Sequence, residues 1–493
     1  MQQTLGSVDI TILVLYALVL VGMGFYYTRK TKTSNQFMVA DRTIPAWAAG
    51  LAVMSAYTSS ISYIATPGKA YDSNFHPMIF ALTIFPIAWF VTQKIIPHYR
   101  KTHIISVYSF LEYKLGAWGR IYAALSFVLY MIGRVAVILY LAALLLHTFL
   151  PINIVLIIVV IGLVTIVYTL LGGMEAVIWT DVMQSAVMLV GILFAAVLLT
   201  VSVFSGPNPL IEHATSANKF SMGSLDLSLS SRTVLVMIIY GVTENLRNLM
   251  ADQNFVQKYS SVPTEREAKR SVWIAMLIYI PLTAVFLYIG ATLFAFYGPG
   301  GEFLPAEITK GDQVFPYFIA TQVPIGLRGL IIAAILAAAM STVDSALNCS
   351  ATVLLMDIHE RFFRKNITET AKMFYLRAMT VVWGILGTGF ALLMIRAKSA
   401  LDVWWQISGI FGGGILGLFI LSLLNAKLKL WQGLTAIGVS IVVISWGSFA
   451  RNLPASLKWL ECTFDPIIVG AVGTFALLVF AAGFAFHNKR TAA

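Results

Sequence analysis

Charged residues are scarce in this chain, and their scarcity excludes an ordinary soluble protein. They make up 11% of the 493 residues, whereas a soluble globular domain carries about a quarter. Hydrophobic residues make up 59% of the chain, and the mean hydropathy is +0.83. The composition therefore predicts an all-α protein that crosses the membrane several times.

Cysteine and long polar blocks are also nearly absent. Only Cys349 and Cys462 occur, one inside and one beside an apolar segment, so a disulfide framework is not expected. The two longest polar loops, about 204–232 and 297–324, are too short for a separate soluble domain, which has at least about 50 residues. The sequence predicts a single membrane domain over residues 1–493.

Common catalytic motifs are missing too. The chain has no His-Glu-x-x-His sequence and no glycine-rich phosphate loop, and its seven histidines are dispersed. The repeated carbonyl filters or charged rings of a channel are not evident either. We therefore expect a transporter and not an enzyme. A transporter-like solute sensor and an intramembrane enzyme remain alternatives, and the missing output domain counts against the sensor.

The chain does have about thirteen apolar segments of roughly bilayer length. We expect the first, about 8–27, to be retained, because no basic region precedes it. Of the basic residues, 22 fall on one face of the predicted topology and nine on the other. By the positive-inside rule this asymmetry places the N-terminus outside and the C-terminus in the cytoplasm, in a bacterial inner membrane or a plasma membrane.

Two of these spans are interrupted midway by polar residues. The second contains five serine and threonine residues from Ser55 to Ser62, and the seventh, about 233–257, contains a polar run up to Asp252. Each interrupted span begins a set of five spans, over 45–203 and 232–424. Paired interruptions are typical of inverted-repeat transporters with a midplane binding site. The alternative is two helices that are only kinked by Ser and Thr side chains.

The ninth span carries an unusual polar run over 339–348. With 3.6 residues per turn, Ser341, Asp344, Ser345 and Asn348 share one helix face. Hydroxyl, carboxylate and carbonyl oxygens are ligands that suit a small hard cation such as sodium. We expect sodium to bind between this face and backbone carbonyls freed in the second span, although hydroxyl groups also serve as packing contacts between membrane helices.

Buried charges add to this pattern. Asp344 near the bilayer centre costs several kcal/mol unless it pairs, binds a cation or is protonated. For Asp181, at the start of the sixth span, a functional and a purely structural interpretation have equal weight. The structural interpretation is that an acid is favourable at a helix N-terminus. Arg134 lies too deep in the fourth span to reach the interface. Its guanidinium suits a substrate carboxylate or a buried acid such as Glu244, but Arg247, one turn away, is the expected partner of Glu244.

Three segments resemble the sodium/solute symporter family. Gly-Gly-Met-Glu-Ala-Val-Ile-Trp-Thr-Asp-Val-Met-Gln at 172–184 resembles its signature, 339–348 resembles its sodium-site helix, and 252–259 resembles its seventh span. The resemblance covers nearly the whole chain. It implies a LeuT-type fold of two inverted five-helix repeats, with an extra helix at 8–27 and two more at 431–485. It also implies sodium-driven uptake of a small solute by alternating access, with no nucleic-acid or obligate protein partner.

The same resemblance implies two sodium sites. The first would use backbone carbonyls of Ser55, Thr58 and Ala338 together with the side chains of Ser341 and Thr342. The second, described in the sialic acid members of the family, would use the side chains of Asp181, Ser341, Asp344 and Ser345. Those members carry Ser at position 344, so the carboxylate of this chain is a departure that suggests tighter sodium binding or a response to pH.

The substrate implied by the resemblance is an anionic sugar such as sialic acid. The sequence Ile-Gly-Arg-Val-Ala around Arg134 matches the sialic acid members, in which the Arg binds the sugar carboxylate. Ser59 and Ser62 occupy further substrate-contact positions. Tyr57 and Ala81 also fall at contact positions, where those members have Thr and Gln. A neutral sugar, a polyol or another carboxylate remains the alternative substrate.

Overall fold

The computed structural model describes residues 5–102, 104–204, 209–299, 301–363, 367–396, 400–424, 428–451 and 453–492. Four basic residues of the charge count, Arg364, Lys365, Lys398 and Lys427, lie outside these ranges. Every regular element within them is helical, which confirms the all-α prediction. The α-helices are α1 (Ser7–Thr28), α2 (Ser34–Val39), α3 (Ala46–Tyr57), α4 (Ser60–Asp72), α5 (Pro77–Phe90), α6 (Ile96–Lys101), α7 (Ser109–Leu115), α8 (Ala117–Phe149), α9 (Ile154–Phe204), α10 (Pro209–Ser216), α11 (Val234–Leu246), α12 (Gln253–Ser260), α13 (Glu265–Phe296), α14 (Gly311–Gln322), α15 (Leu327–Val353), α16 (Glu369–Met394), α17 (Ala400–Leu423), α18 (Leu430–Phe449) and α19 (Val469–Ala492).

Many of these helices have the length and composition of membrane spans. In the described ranges, nine are long and apolar enough to cross a bilayer, and three shorter apolar helices cover Ala46–Tyr57, Ile154–Leu170 and Ile407–Leu423. The helices therefore form a multi-pass membrane protein. The count of thirteen spans stays a prediction.

Both predicted interruptions are present. The first separates α3 from α4, where Thr58 and Ser59 adopt extended backbone conformations. The second separates α11 from α12: a π-helical turn over Arg247–Ala251 ends at Asp252, which is extended. Each interruption frees backbone groups from helical hydrogen bonding inside the membrane domain, as a midplane binding site requires.

Helix α9 contains the fifth and sixth predicted spans in one run. It bends sharply at Gly173, whose φ of +59° and ψ of −157° are not helical. A Cβ atom at this position would lie 2.8 Å from the Cα of Phe37. Only glycine therefore satisfies both the left-handed φ and the close approach of α2.

Helix α15, which carries the polar run, lies at the centre of the protein. Every residue from Ile331 to Val353 is buried, and the helix packs against α8, α9 and α16 as well as against α3 and α4. An amphipathic helix would keep one polar face in water, but α15 has protein on all sides. Its polar side chains must therefore find partners inside the protein.

Loops at the two ends of the bundle form two separate networks. At one end, Phe75 donates its N–H to the carbonyl of Ser221 (2.9 Å), and Asp465 donates its N–H to the carbonyl of Leu229 (2.8 Å). We call this end the mouth face. Arg42 and Arg100 contact loops at the opposite end, which we call the basic face. The predicted alternation of basic and less basic loops agrees with this division.

The basic face contains a compact ion-pair network. Arg120 contacts Asp357 (2.6 Å) and Glu112 (2.7 Å), and Arg361 contacts the other oxygen of Glu112 (2.6 Å). The hydrogen bond from Arg361 is the largest cause that lowers the pKa of the Glu112 carboxyl below its usual value. These contacts link α7, the start of α8 and the segment that follows α15.

Asp9 of α1 caps the mouth-face end of α15. Its fully buried carboxylate accepts the N–H groups of Gly326 (2.7 Å) and Gly329 (2.8 Å). Asp9→Ala would leave these buried donors unpaired, and we expect it to lower the free energy of unfolding by about 1–3 kcal/mol.

The thermal unfolding midpoint of the detergent-purified protein measures this effect. Asp9→Asn keeps an acceptor oxygen and should lose less stability, whereas Asp226→Ala changes an exposed acid and serves as the control. An Asp9→Ala variant that unfolds at the wild-type temperature would show that the cap is dispensable.

Candidate functional site

The interruption between α3 and α4 is stabilised by hydroxyl groups close to it. The Ser59 Oγ accepts the N–H of Ile61 (3.2 Å) and so caps the start of α4. The Ser62 Oγ donates to the carbonyl of Tyr57 (3.4 Å) and accepts the N–H of Ser59 (3.4 Å). Ser59 and Ser62 therefore form hydrogen bonds with their own backbone, as expected for a helix that is only kinked by Ser and Thr side chains. Both side chains also line a cavity.

A cavity of about 480 Å³ lies beside this interruption and extends toward the mouth face. We call it the central cavity. Its wall combines α4, α5, α8, α11 and α13 with the ends of α18 and α19. Its lining includes the predicted residues Tyr57, Ser59, Ser62 and Arg134. Its volume is in the range of small-molecule binding sites.

Arg134 is a buried cation of this cavity that lacks an acidic partner. Its side chain is 8% exposed, and one Nη2 group donates to the carbonyl of Ala56 (2.8 Å). Within the described ranges, no carboxylate oxygen lies within 4.0 Å of its guanidinium. The remaining N–H groups are therefore available to an anion in the cavity.

Arg247 is in the opposite situation. Its Nη2 lies 2.7 Å from the Glu244 carboxylate, which confirms the predicted pair, and its Nη1 lies 3.6 Å from Asp252. Its guanidinium also stacks on Tyr130, 4.7 Å from the ring centroid. Two acids and one aromatic ring hold Arg247, so Arg134 is the better candidate for recognition of an anionic solute.

Tyr57 lies in an aromatic wall of the central cavity. Its ring centroid is 4.6 Å from that of Phe255 and 4.9 Å from that of Tyr279. Ala81 is fully buried and is not part of the described lining of this cavity, whereas its neighbour Phe80 is. The one-residue offset on α5 turns Ala81 toward the protein interior, because successive helical positions lie about 100° apart.

Three residues of the first predicted sodium site lie next to one another on α15. The Ser341 and Thr342 hydroxyls both donate to the carbonyl of Ala338, at 3.2 and 3.1 Å. Ser55 and Thr58 lie on the broken helix that packs against α15. All five residues are inaccessible to solvent.

Asp344 is fully buried and surrounded by neutral donors. Its Oδ2 accepts the Tyr168 hydroxyl (2.9 Å) and the Thr180 hydroxyl (3.4 Å), and its Oδ1 accepts the Ser345 N–H (2.5 Å). No cationic side chain lies within 4.0 Å of it in the part of the chain that the structure describes. Hydrogen bonds stabilise this carboxylate, but its charge has no direct counter-charge.

Asp181 does have a counter-charge, which no sequence pattern indicated. The Lys258 ammonium lies 2.8 Å from Asp181 Oδ2, and both side chains are fully buried. Lys258 also donates to the carbonyl of Ala52 in α3 (3.0 Å). The predicted seventh span ended at about 257, which placed Lys258 in a loop on the basic face. The structure corrects this assignment, because α12 continues to Ser260.

Other cavity residues were also outside the predicted set. Phe80, Tyr240 and Tyr279 are apolar-segment aromatics without a distinctive motif, and Arg451 and Ile467 come from the connection between α18 and α19. The one available signal was Arg451, a basic residue in the less basic set of loops. Packing of α19 against α17 and α18 brings this connection over the cavity.

Known proteins match the chain over most of its length. The sequence profile of the Sodium:solute symporter family matches residues 37–434. The sodium/sialic acid symporter NanT of Aliivibrio fischeri is 32% identical over 475 residues, covering 95% of this chain and 93% of NanT. The sodium/sialic acid symporter SiaT of Proteus mirabilis is 32% identical over 473 residues, covering 95% of each chain.

A solved structure gives the same picture. A Na+-coupled sialic acid symporter in a substrate-bound, outward-open state aligns with a TM-score of 0.89 and 30% identity. The alignment covers 97% of this chain and 98% of that one. This likeness confirms the predicted LeuT-type fold.

The buried Asp181–Lys258 pair generates a prediction about stability. Lys258→Met would leave Asp181 without its cation, and breaking a buried pair in this way costs about 3–5 kcal/mol. The double variant Asp181→Asn with Lys258→Met removes both charges and should recover most of the loss.

A double-mutant cycle of thermal unfolding midpoints, measured in choline chloride without sodium, tests the pair. If the double variant loses as much stability as the two single variants added together, the two side chains do not interact favourably.

Proposed function

The chain belongs to the sodium:solute symporter family, and from this premise we propose that it imports a sialic acid, N-acetylneuraminate, together with sodium by alternating access. It is a membrane transporter and not an enzyme. Sodium is the coupling ion and a small organic solute is the cargo. The identity of that solute and the residues that bind it are the substance of the proposal.

The substrate assignment rests on a single observation, the environment of Arg134. It places a guanidinium without an acidic partner in the wall of the central cavity, and a guanidinium can hold a carboxylate by two parallel hydrogen bonds. Two relatives and the protein of the solved structure are sialic acid symporters, and sialic acid is a sugar that carries a carboxylate. We therefore assign the substrate carboxylate to Arg134.

The start of α4 supplies a second favourable interaction. Helix α4 begins next to the cavity at Ser60, and the N-terminal end of a helix carries partial positive charge that favours anions. Ser59 and Ser62 line the cavity at this end. We assign them hydrogen bonds to the carboxylate or to sugar hydroxyls, with Tyr57 packing against the sugar ring.

We propose that the first sodium ion binds at the junction of α3 and α15. Its ligands would be the carbonyls of Ser55, Thr58 and Ala338 and the hydroxyls of Ser341 and Thr342. The helix α3 ends at Tyr57, so its carbonyl-rich C-terminal end, which carries partial negative charge, lies at this site. Sodium binding would fix the position of the interruption against α15.

We propose a second sodium site at Asp181, Ser341, Asp344 and Ser345. Its support is charge balance: Asp181 and Asp344 bring two buried carboxylates, and Lys258 is the one cation in contact with either; this count covers the described ranges. One sodium ion would neutralise the remaining charge. A proton on Asp344 would do the same, and the measurement below separates these two cations.

The remaining topology is part of the same proposal. We infer that the repeats occupy 45–203 and 232–424, because the helix interruptions at Thr58–Ser59 and Asp252 fall at corresponding positions. We further propose a bacterial inner or plasma membrane location with the N-terminus outside. The central cavity extends toward the mouth face, which this orientation places outside, while ion pairs close the basic face.

A neutral sugar, a polyol or another carboxylate is the second candidate substrate. For a neutral cargo, Arg134 would have a structural role through its bond to Ala56. A solute sensor with the same fold would bind the sugar without moving it across the membrane. Both alternatives give results that differ from those expected below.

Arg134 generates the first functional prediction. Arg134→Gln removes the charged donor, and the loss of about 2 kcal/mol or more from a charge-assisted pair should raise the dissociation constant of N-acetylneuraminate about 30-fold or more. Arg134→Lys keeps the charge but loses the paired geometry, so its affinity should be intermediate.

Uptake of radiolabelled N-acetylneuraminate into proteoliposomes, with an inward sodium gradient or with potassium instead, measures transport. Lys458→Gln, on the mouth face and outside the cavity lining, is the matched control. Sodium-independent uptake would contradict the coupling. Binding without uptake would favour the sensor, and unchanged affinity in Arg134→Gln would favour a substrate without a recognised carboxylate.

Asp344 generates the second functional prediction. Asp344→Asn removes the charge at nearly constant volume. A buried carboxylate costs several kcal/mol unless a cation is bound, so the variant loses the reason to bind the second sodium ion. It should weaken sodium activation of uptake about tenfold and bring the Hill coefficient for sodium from near 2 toward 1.

Sodium titrations at pH 6 and pH 8 separate the two cations. If the second ligand is sodium, the wild type and Asp344→Asn should show the same small pH effect. A strong pH effect in the wild type that disappears in Asp344→Asn would instead identify a proton on Asp344. A Hill coefficient unchanged by Asp344→Asn would refute the second sodium site.

A further inference from the structure

A smaller cavity of about 190 Å³ adjoins the central cavity on the mouth face. We call it the outer vestibule. The two cavities share one wall, which consists of Ser62, Thr66, Phe80, Tyr240, Tyr279 and Ile467. Beyond this wall, toward the loops of the mouth face, the vestibule is lined by Lys69, His76, Pro77 and Arg232.

The lining of the outer vestibule has a positive charge. Lys69 and Arg232 line it, and no acidic residue is part of its described lining. Arg451 and Glu244 both line the adjoining central cavity. Arg451 donates to the carbonyls of Gly447 (2.9 Å) and Phe464 (2.8 Å), which do not neutralise it. A concave surface of one charge sign concentrates ligands of the opposite sign.

Three acids, Asp72, Asp312 and Asp465, act electrostatically on Lys69. Two of them have other partners: Asp72 accepts the N–H of Gly311 (3.3 Å), and Asp465 lies 3.6 Å from Arg232. Across the described ranges, no carboxylate oxygen comes within 4.0 Å of the Lys69 ammonium. Lys69 therefore keeps donors available for a carboxylate in the vestibule.

Helix α4 connects the two cavities. Ser59 lines the central cavity, Ser62 and Thr66 line both cavities, and Lys69 lines the vestibule. These four residues are spaced three, four and three positions apart, which places them on one helix face. This stripe is about 15 Å long at 1.5 Å per residue. It begins with the hydroxyls beside the deep site and ends with an ammonium group at the outer vestibule.

We propose that the outer vestibule, with Lys69 at its centre, is a capture site for the carboxylate of the solute before the solute reaches Arg134. The assignment rests on the proposed anionic substrate. A solute held at Lys69 moves along the hydroxyl face of α4 to the deep site. Charge at such an approach path raises the association rate more than the final affinity.

The neighbouring histidine does not make this capture pH-dependent. Burial, with smaller contributions from the charges of Arg232 and Lys69, lowers the pKa of His76 to about 3. His76 is therefore neutral throughout the range from pH 5.5 to pH 8, and its Nδ1 contacts Asn74 Oδ1 at 2.8 Å. The positive charge of the vestibule comes from Lys69 across this range, because Asp465 offsets the charge of Arg232.

Binding kinetics of N-acetylneuraminate to the purified protein in sodium test the capture site. Lys69→Gln should lower the association rate constant about 3- to 10-fold and weaken its dependence on added potassium chloride, while the dissociation rate constant changes less than about twofold. Lys310→Gln, the matched control, removes an exposed lysine of the mouth face that lines neither cavity. Equal association rates and salt dependence in wild type and Lys69→Gln would overturn the proposal.

A second measurement does not depend on the solute. Ile467→Cys, in a background in which the buried Cys349 and Cys462 are replaced by Ala, introduces one thiol in the shared wall. Its reaction rates with an anionic and a cationic methanethiosulfonate reagent, each divided by the rate with a free thiol, report the local charge. The normalised rate should be higher for the anionic reagent. Lys69→Gln should reduce the ratio of the anionic to the cationic rate at least about threefold.

These two measurements separate the failures. A ratio that Lys69→Gln leaves unchanged would overturn the capture site, whatever the solute is. A ratio that falls, in a protein to which N-acetylneuraminate does not bind, would support the anion-collecting vestibule and refute the proposed substrate. Thermal unfolding midpoints of all variants show that each is folded under the conditions of the assay.

Discussion

The broken end of α3 is the constraint on which the rest of the site depends. A helix that stops inside a membrane leaves carbonyls without N–H partners, and no water of the bilayer core satisfies them. Two buried cations donate to carbonyls in the last turns of α3: Arg134 to Ala56 and Lys258 to Ala52. The C-terminal end of a helix carries partial negative charge, so it favours these cations and equally a sodium ion. Cation binding is thus part of what makes the interruption stable.

The same interruption gives a physical basis for coupling. Sodium assigned to Ser55 and Thr58 would act on the last turn of α3, and a solute assigned to Ser59 and Ser62 would act on the first turn of α4. Two residues of extended chain, Thr58 and Ser59, separate these turns. A ligand that orders one side reduces the conformational entropy that the other ligand must remove, so each raises the affinity of the other by the same factor.

Sequence patterns predicted the elements whose local chemistry conflicts with a bilayer. Polar runs in apolar segments located the interruptions at Thr58 and Asp252 and the buried face of α15, because an unpaired polar group in hydrocarbon requires a reason. The spacing of Glu244 and Arg247 predicted their pair. Lys258 was missed since its burial depends on where α12 ends, and helix ends are uncertain by a few residues. The vestibule was missed because the connection between α18 and α19 brings Ile467 to it only through tertiary packing.

The contrast between the two ends of the bundle explains how a closed face can open again. In the proposed transport cycle, the ion pairs of Arg120, Asp357, Glu112 and Arg361 would close the basic face. An apolar seal would expose hydrocarbon to water on opening, at about 25 cal/mol for each Å². Charged groups that separate into a water-filled path regain hydration, which offsets most of the lost attraction, as at exposed ion pairs. Such a seal is specific when closed, and the energy needed to open it is modest. Alternation between the two faces requires both properties, because each face must close in turn without becoming trapped.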